Sequence, residues 1–185
     1  MDTIDIDSQS IFEQEQELRF APEIRAGYYL SKQLVRWQGP TTASKLMDRL
    51  SFGNYNQNIH NAITPFDWLS TDKSEVQKYI DDPLCGFIST TQFYTDLTGG
   101  MQKLSAPNFN RKIRSNLPIF FVSGTDDPVG GKNGEGVLKA AEQLVEAGAT
   151  NVLVYLFEGM RHEILNETKK QQVFEIIVRW LKDEK

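Results

Sequence analysis

Two short apolar segments on either side of an amphipathic one constrain the fold of this chain more than any other feature. Residues 118–122 and Val152–Phe157 are continuous apolar runs, which is typical of strands inside a parallel sheet. Between them, residues 136–147 repeat apolar side chains at helical spacing, and Gly148 follows where a helix C-terminus favours glycine. An amphipathic segment over 173–181 comes last. This order predicts a right-handed βαβ unit followed by a covering helix.

The chain before these strands divides into two regions. Residues 1–21 form an acidic lead-in, with six carboxylates and no basic residue in the first 18 positions. Residues 22–112 read as mostly helical, with helices between about 24 and 50 that break at Gly39-Pro40, a loop over 51–71 and short helices near 74–80 and 91–104. We expect the last of these helices to be interrupted or to end near Gly99-Gly100. Residues 113–185 hold the βαβα region.

Composition excludes several classes of function. The net charge of −5 does not suit nucleic acid, whose phosphates attract a basic surface. Apolar runs of about six residues are far too short for a transmembrane segment, and we expect no secretory signal. The single cysteine, Cys85, excludes an internal disulfide and favours a cytoplasmic location. With two histidines and one cysteine, we expect no metal site.

Asp127 and His162 each follow one of the two predicted strands. In an open parallel sheet, catalytic groups gather beyond the carboxyl ends of the strands, so these two side chains are expected to meet. A carboxylate there would fix the tautomer of the imidazole and stabilise its protonated form. The alternative is structural, since Asp-Pro commonly starts a turn and a histidine before a glutamate can be a surface residue.

Two sequence motifs carry a family resemblance. Residues 122–130, Val-Ser-Gly-Thr-Asp-Asp-Pro-Val-Gly, resemble the acid loop of α/β-hydrolases of the lysophospholipase, monoacylglycerol lipase and serine aminopeptidase S33 group. Residues 157–167, Phe-Glu-Gly-Met-Arg-His-Glu-Ile-Leu-Asn-Glu, are similar to the histidine loop of that group. The segments 50–56, 66–70 and 82–87 resemble its inserted cap. The resemblance extends from about residue 22 to the end.

The resemblance implies a partial α/β-hydrolase fold: a helical cap over 22–112, then the last two parallel strands with their helices. It also implies hydrolysis of a carboxylic ester, such as a lysophospholipid or monoacylglycerol, through a serine acyl-enzyme without metal or organic cofactor. Asp127, rather than Asp126, would orient the imidazole, and His162 would act as general base and then general acid. Phe66, Trp68 and Phe87 are candidates for substrate binding, although most aromatic residues of this kind are core.

The nucleophile of such an enzyme is missing from these 185 residues. No Gly-x-Ser-x-Gly elbow occurs, and the only glycines four positions apart, Gly130 and Gly134, have Lys132 between them. Without that turn there is neither a catalytic serine nor an oxyanion hole beside it. One hypothesis is that a separate chain supplies the N-terminal half, or that this half was lost from the gene. The alternative is a truncated, non-catalytic product that acts as a binding or interaction module or has no function.

Overall fold

The structure, a computed structural model, describes residues 22–104 and 112–183. The predicted acidic lead-in over 1–21 lies outside the described residues. Within them, contacts define two compact units. The helical unit contains residues 22–54, 87–104 and 112–113, and the strand unit contains residues 55–86 and 114–183. Residues 55–86 of the mostly helical region thus group with the strands, and the role of 22–112 as a cap stays a prediction.

The described residues form six α-helices and two β-strands. In chain order these are α1 (Pro22–Gln38), α2 (Lys45–Phe52), α3 (Lys73–Asp81), α4 (Thr91–Leu104), β1 (Ile119–Gly124), α5 (Glu135–Glu146), β2 (Val152–Phe157) and α6 (Lys170–Asp183). Among the described helices, none combines the length and the apolar character needed to cross a membrane.

The helical unit consists of α1, α2 and α4 around a small core. Leu34, Met47 and Tyr94 are its buried members, one from each helix. The expectation that α4 is interrupted near Gly99-Gly100 is wrong, because the helix is continuous from Thr91 to Leu104. A Cβ at Gly99 would lie 3.0 Å from the Tyr28 ring of α1. The glycine therefore serves close packing between two helices rather than a break.

The strand unit contains the predicted parallel pair. Strand β1 pairs with β2 from Ile119 opposite Val152 to Gly124 opposite Phe157, and α5 connects them. Helix α5 ends as predicted, since Gly148 adopts a φ of +103° and its amide donates to the Val145 carbonyl.

The strands of this unit are less buried than their composition predicts. Most of their residues are half-buried; the buried ones are Ser123 and Gly124 at the end of β1, and Val154 and Phe157 in β2. The reason is that the described residues provide a sheet of two strands only. The best-packed part of the unit lies where the C-terminal end of β2 meets α6, with Phe157, Met160, Ile164 and Val173 as its buried core. This end of the sheet also carries the residues of the candidate site.

Candidate active site

The loops that follow β1 and β2 are joined directly to each other by backbone contacts. The Thr125 amide donates to the Phe157 carbonyl at 3.0 Å, and the Asp126 amide donates to the Met160 carbonyl at 2.9 Å. Gly124 makes this approach possible, because a Cβ there would lie 2.6 Å from the carbonyl oxygen of Arg161 and nearer still to that of Met160. The parallel strands thus deliver the two loops to one place.

The structure brings Asp127 and His162 together at this junction. The Nδ1 atom of His162 lies 3.1 and 3.2 Å from the two carboxylate oxygens of Asp127. One of these oxygens also accepts a hydrogen bond of 2.8 Å from the backbone amide of Val129, which holds the carboxylate in place. Because an ionised carboxylate only accepts hydrogen bonds, Nδ1 carries the proton in this pair and Nε2 of the neutral ring is free to accept one.

The contact between Asp127 and His162 favours the ionised carboxylate and the protonated imidazole. Burial alone would raise the pKa of Asp127, but the hydrogen bonds from His162 and from the amides of Val129 and Gly130, with the charge of the imidazolium, lower it below its usual value. The hydrogen bond to Asp127 raises the pKa of His162 above its usual value. Burial opposes that rise, and the negative charges of Asp127 and Glu163 add to it.

The two side chains differ in their access to solvent. The side chain of Asp127 is 9% exposed, whereas that of His162 is 38% exposed. The neighbouring residue Asp126 is exposed, and its backbone amide donates a hydrogen bond to the Met160 carbonyl of the other loop. A buried acid behind a partly open imidazole is the arrangement in which the imidazole can exchange a proton with a group that approaches from outside.

The aromatic candidates occupy different places. The Trp68 ring lies 5.1 Å from the His162 ring, and the Tyr55 ring packs edge-on against Trp68 at 4.8 Å. Phe66 packs against Tyr79 at 5.1 Å instead. Of the three predicted substrate contacts, Trp68 therefore touches the imidazole, while Phe66 does not belong to that stack.

The third aromatic candidate, Phe87, belongs to the helical unit and is 65% exposed. Substrate binding by Phe66, Trp68 and Phe87 stays a prediction. Tyr55, which packs on Trp68, is close enough to Asp127 to respond to its charge. Burial raises the pKa of its phenol, and the negative charge of Asp127 raises it further.

Sequence reasoning missed two functional candidates, Arg161 and Glu167, in the loop that carries His162. The Arg161 guanidinium donates to the backbone carbonyls of Asp67 at 2.6 Å and Ser70 at 2.9 Å. Glu167 is 1% exposed and accepts the backbone amide of Arg161 at 2.8 Å. Both residues stand in the motif at fixed spacing from the histidine, but only the fold shows which distant groups they bind.

The site contains no arrangement for a metal ion. Nowhere in residues 22–104 and 112–183 do three histidine, cysteine or carboxylate side chains group in a way that could hold one.

Comparison with known proteins agrees with the geometry. The family described as serine aminopeptidase, S33, matches residues 19–169 of the chain. No curated protein gives a significant match.

Three solved structures illustrate the fold. A thermostable carboxyl esterase from Bacillus coagulans, solved in complex with glycerol, is 25% identical with a TM-score of 0.78, covering 88% of this chain and 53% of the esterase. A lipase in its open form is 23% identical with a TM-score of 0.74, covering 85% of this chain and 53% of the lipase. A monoacylglycerol lipase from Paleococcus ferrophilus is 22% identical with a TM-score of 0.61, covering 85% and 52% respectively.

The chain thus spans about half the length of the solved structures it resembles. The prediction of a partial α/β-hydrolase fold is confirmed by these structures and by the parallel strand pair. Since the family match covers most of its residues, the chain belongs to the serine aminopeptidase S33 family of serine hydrolases.

Proposed function

We propose that this chain carries the acid and the base of a serine esterase active site. The observation that supports this most directly is the contact of 3.1 Å between Nδ1 of His162 and the buried carboxylate of Asp127. In the proposed reaction, Nε2 of His162 takes the proton of a serine hydroxyl as that oxygen attacks the ester carbonyl. The imidazolium then protonates the leaving alkoxide, and the same two steps with water release the acid. Asp127 holds the ring and stabilises its charge throughout.

The serine and the oxyanion hole are proposed to come from residues outside this sequence. A catalytic serine of this family sits on a Gly-x-Ser-x-Gly turn, which the 185 residues do not contain. Because triad residues act as a unit, we expect little activity from the acid and the base alone. A separate chain would supply the serine and the oxyanion hole, unless the N-terminal half was lost from the gene.

The substrate is proposed to be a carboxylic ester with an acyl chain, such as a monoacylglycerol or a lysophospholipid. The similar structures include a carboxyl esterase and a monoacylglycerol lipase. Trp68 is well placed to contact a group that reaches the imidazole, since its ring already packs on His162. That Phe66 and Phe87 contact the acyl chain of the substrate is proposed from the family resemblance alone. The same holds for a cap role of residues 22–112. A cytoplasmic location is proposed because Cys85 is a free thiol.

Fluorophosphonate labelling tests the first part of the proposal. Such probes react with an activated serine, so the purified 185-residue chain should not be labelled stoichiometrically. Stoichiometric labelling would show that the chain contains a nucleophile of its own and would overturn the proposal.

Complementation tests the second part. If the reading frame upstream of Met1 encodes a Gly-x-Ser-x-Gly segment, coexpression of that segment should restore labelling and hydrolysis of p-nitrophenyl esters. Asp127→Asn should then lower the rate by about 10⁴-fold, the order seen when this acid is neutralised in a triad. Glu158→Gln, which removes an exposed carboxylate of the loop that carries His162, is the matched control. If no upstream frame encodes a nucleophile, the non-catalytic binding module becomes the better account.

A further inference from the structure

The histidine loop, residues 158–167, is fixed along the segment 67–72 of the same unit. The Glu163 amide donates to the Leu69 carbonyl at 2.7 Å, and the Ser70 hydroxyl donates to the Asn166 carbonyl at 2.9 Å. The His162 amide donates to the Trp68 carbonyl over a longer distance of 3.4 Å. His162 therefore sits on a loop whose position depends on contacts made about 95 residues earlier in the chain.

Four hydrogen-bond donors converge on the carboxylate of Glu167, which joins the histidine loop to segment 67–72. Its carboxylate accepts the backbone amides of Arg161 at 2.8 Å, Thr71 at 3.0 Å and Thr168 at 3.3 Å. It also accepts the hydroxyl of Thr71. Three of these four donors lie on the two segments that meet, and the amide of Arg161 directly precedes His162 in the chain. Hydrogen bonds to an ionised carboxylate are stronger than neutral ones, so this group holds both segments tightly.

We propose that Glu167 is a positioning residue for His162: its buried carboxylate fixes the histidine loop on segment 67–72 and thereby sets the distance between the imidazole and Asp127. The proposal deepens the proposed function and rests on it. Glu167 touches neither the imidazole nor the acid in the contacts above, and it acts only through the backbone. Neutralising it with Glu167→Gln places an amide NH₂ where an oxygen now faces an N–H or hydroxyl donor, so at least one hydrogen bond must break.

The pKa of His162, measured by NMR titration of the intact 185-residue chain, reports the distance between the pair. The chain has only two histidines, so the imidazole of His60 provides a second curve in the same sample. If Glu167 positions the loop, Glu167→Gln lowers the pKa of His162 relative to the wild type, because the contact with Asp127 that raises it is loosened. A role in stability alone would leave the His162 titration of the folded variant unchanged.

Two further variants separate position from charge and from folding. Thr71→Val removes one hydrogen-bond donor to Glu167. It changes no charge and substitutes no residue of the histidine loop, so it should lower the pKa of His162 by a smaller amount than Glu167→Gln. Glu158→Gln removes an exposed carboxylate of the same loop and should leave the titration unchanged. Amide hydrogen exchange supplies a second readout, in which the Arg161 and Thr71 amides exchange about tenfold faster or more in Glu167→Gln.

A lower His162 pKa in Glu167→Gln and in Thr71→Val, with no change in Glu158→Gln, supports the proposal. A lower His162 pKa in Glu167→Gln with no change in Thr71→Val reflects the lost charge alone and overturns the proposal. An unchanged His162 titration in a folded Glu167→Gln chain overturns it. If Glu167→Gln does not fold, Thr71→Val decides, and an unchanged titration there also overturns it.

Asp127→Asn distinguishes this proposal from the proposed function. If Asp127→Asn leaves the His162 pKa unchanged, the acid–base pair itself is wrong. If it lowers that pKa while the Glu167 and Thr71 variants do not, only the positioning role fails.

Discussion

Replacement of Gly124 by alanine should separate the two loops that carry Asp127 and His162. A Cβ at this position would lie 2.6 Å from the carbonyl oxygen of Arg161 and nearer still to the carbonyl group of Met160. Ordinary contact begins at 3.4 Å, so the loops must move apart by about 1.4 Å to clear the Met160 carbonyl oxygen. The obstacles are backbone atoms, which cannot rotate away as a flexible side chain would.

The energetic cost follows from two contributions. Forcing an extra carbon into a packed site costs about 1–3 kcal/mol. The hydrogen bond of 2.9 Å from the Asp126 amide to the Met160 carbonyl crosses the same gap, and its loss adds about 1 kcal/mol. We therefore expect Gly124→Ala to lower the free energy of unfolding by about 2–4 kcal/mol and to weaken the hydrogen bond between His162 and Asp127.

Urea unfolding, followed by tryptophan fluorescence, measures the first effect, since two of the three tryptophans, Trp68 and Trp180, lie in the strand unit. With a dependence of about 2 kcal/mol per molar urea, the midpoint should fall by about 1–2 M. Gly100→Ala in α4 is the matched control. A Cβ there meets nothing within 4 Å, and alanine should stabilise the helix by up to about 1 kcal/mol. A Gly124→Ala chain with wild-type stability and an unchanged His162 pKa would refute the reasoning.

Three further predictions concern pH, a guanidinium and a helix cap. The raised pKa of His162 means that its contribution to stability is complete below the ordinary value of 6.5 and is lost as the pH rises through the folded value. The lowered pKa of Asp127 gives a contribution that is complete above 3.8 and lost as the pH falls through the folded value. The stability difference between wild type and Asp127→Asn in urea should thus be largest between these two pH values, and a flat difference would contradict the pairing. Arg161→Met leaves two carbonyl oxygens without their donor and should lower the free energy of unfolding by about 1–3 kcal/mol, whereas equal urea midpoints would argue against it. Ser44→Ala removes the hydroxyl that accepts the Met47 amide at the start of α2 and should cost about 1 kcal/mol, seen as a melting temperature lower by about 2–4 °C.

Local features of the sequence were sufficient for most of the secondary structure. Strand β2 occupies Val152–Phe157 as predicted, and α3 begins after Asp72, whose side chain accepts the Ser74 amide. Such elements are predictable because apolar periodicity, caps and turn residues act over only a few positions. The failure at Gly99 has the same origin, since a glycine pair in a helix looks like a break until the ring that packs against it is known.

Contacts between distant residues lay beyond such reasoning. The parallel strand pair, the family motifs and the candidate pair Asp127 and His162 could be predicted from the residues alone, because each depends on short segments and their order. The need for a small residue at Gly124 and the burial of Glu167 became visible only in the folded chain. The carboxylate of Glu167 meets the Thr71 amide across 96 positions of the chain. No local pattern encodes that meeting, because it follows from how the sheet, α6 and segment 67–72 pack together.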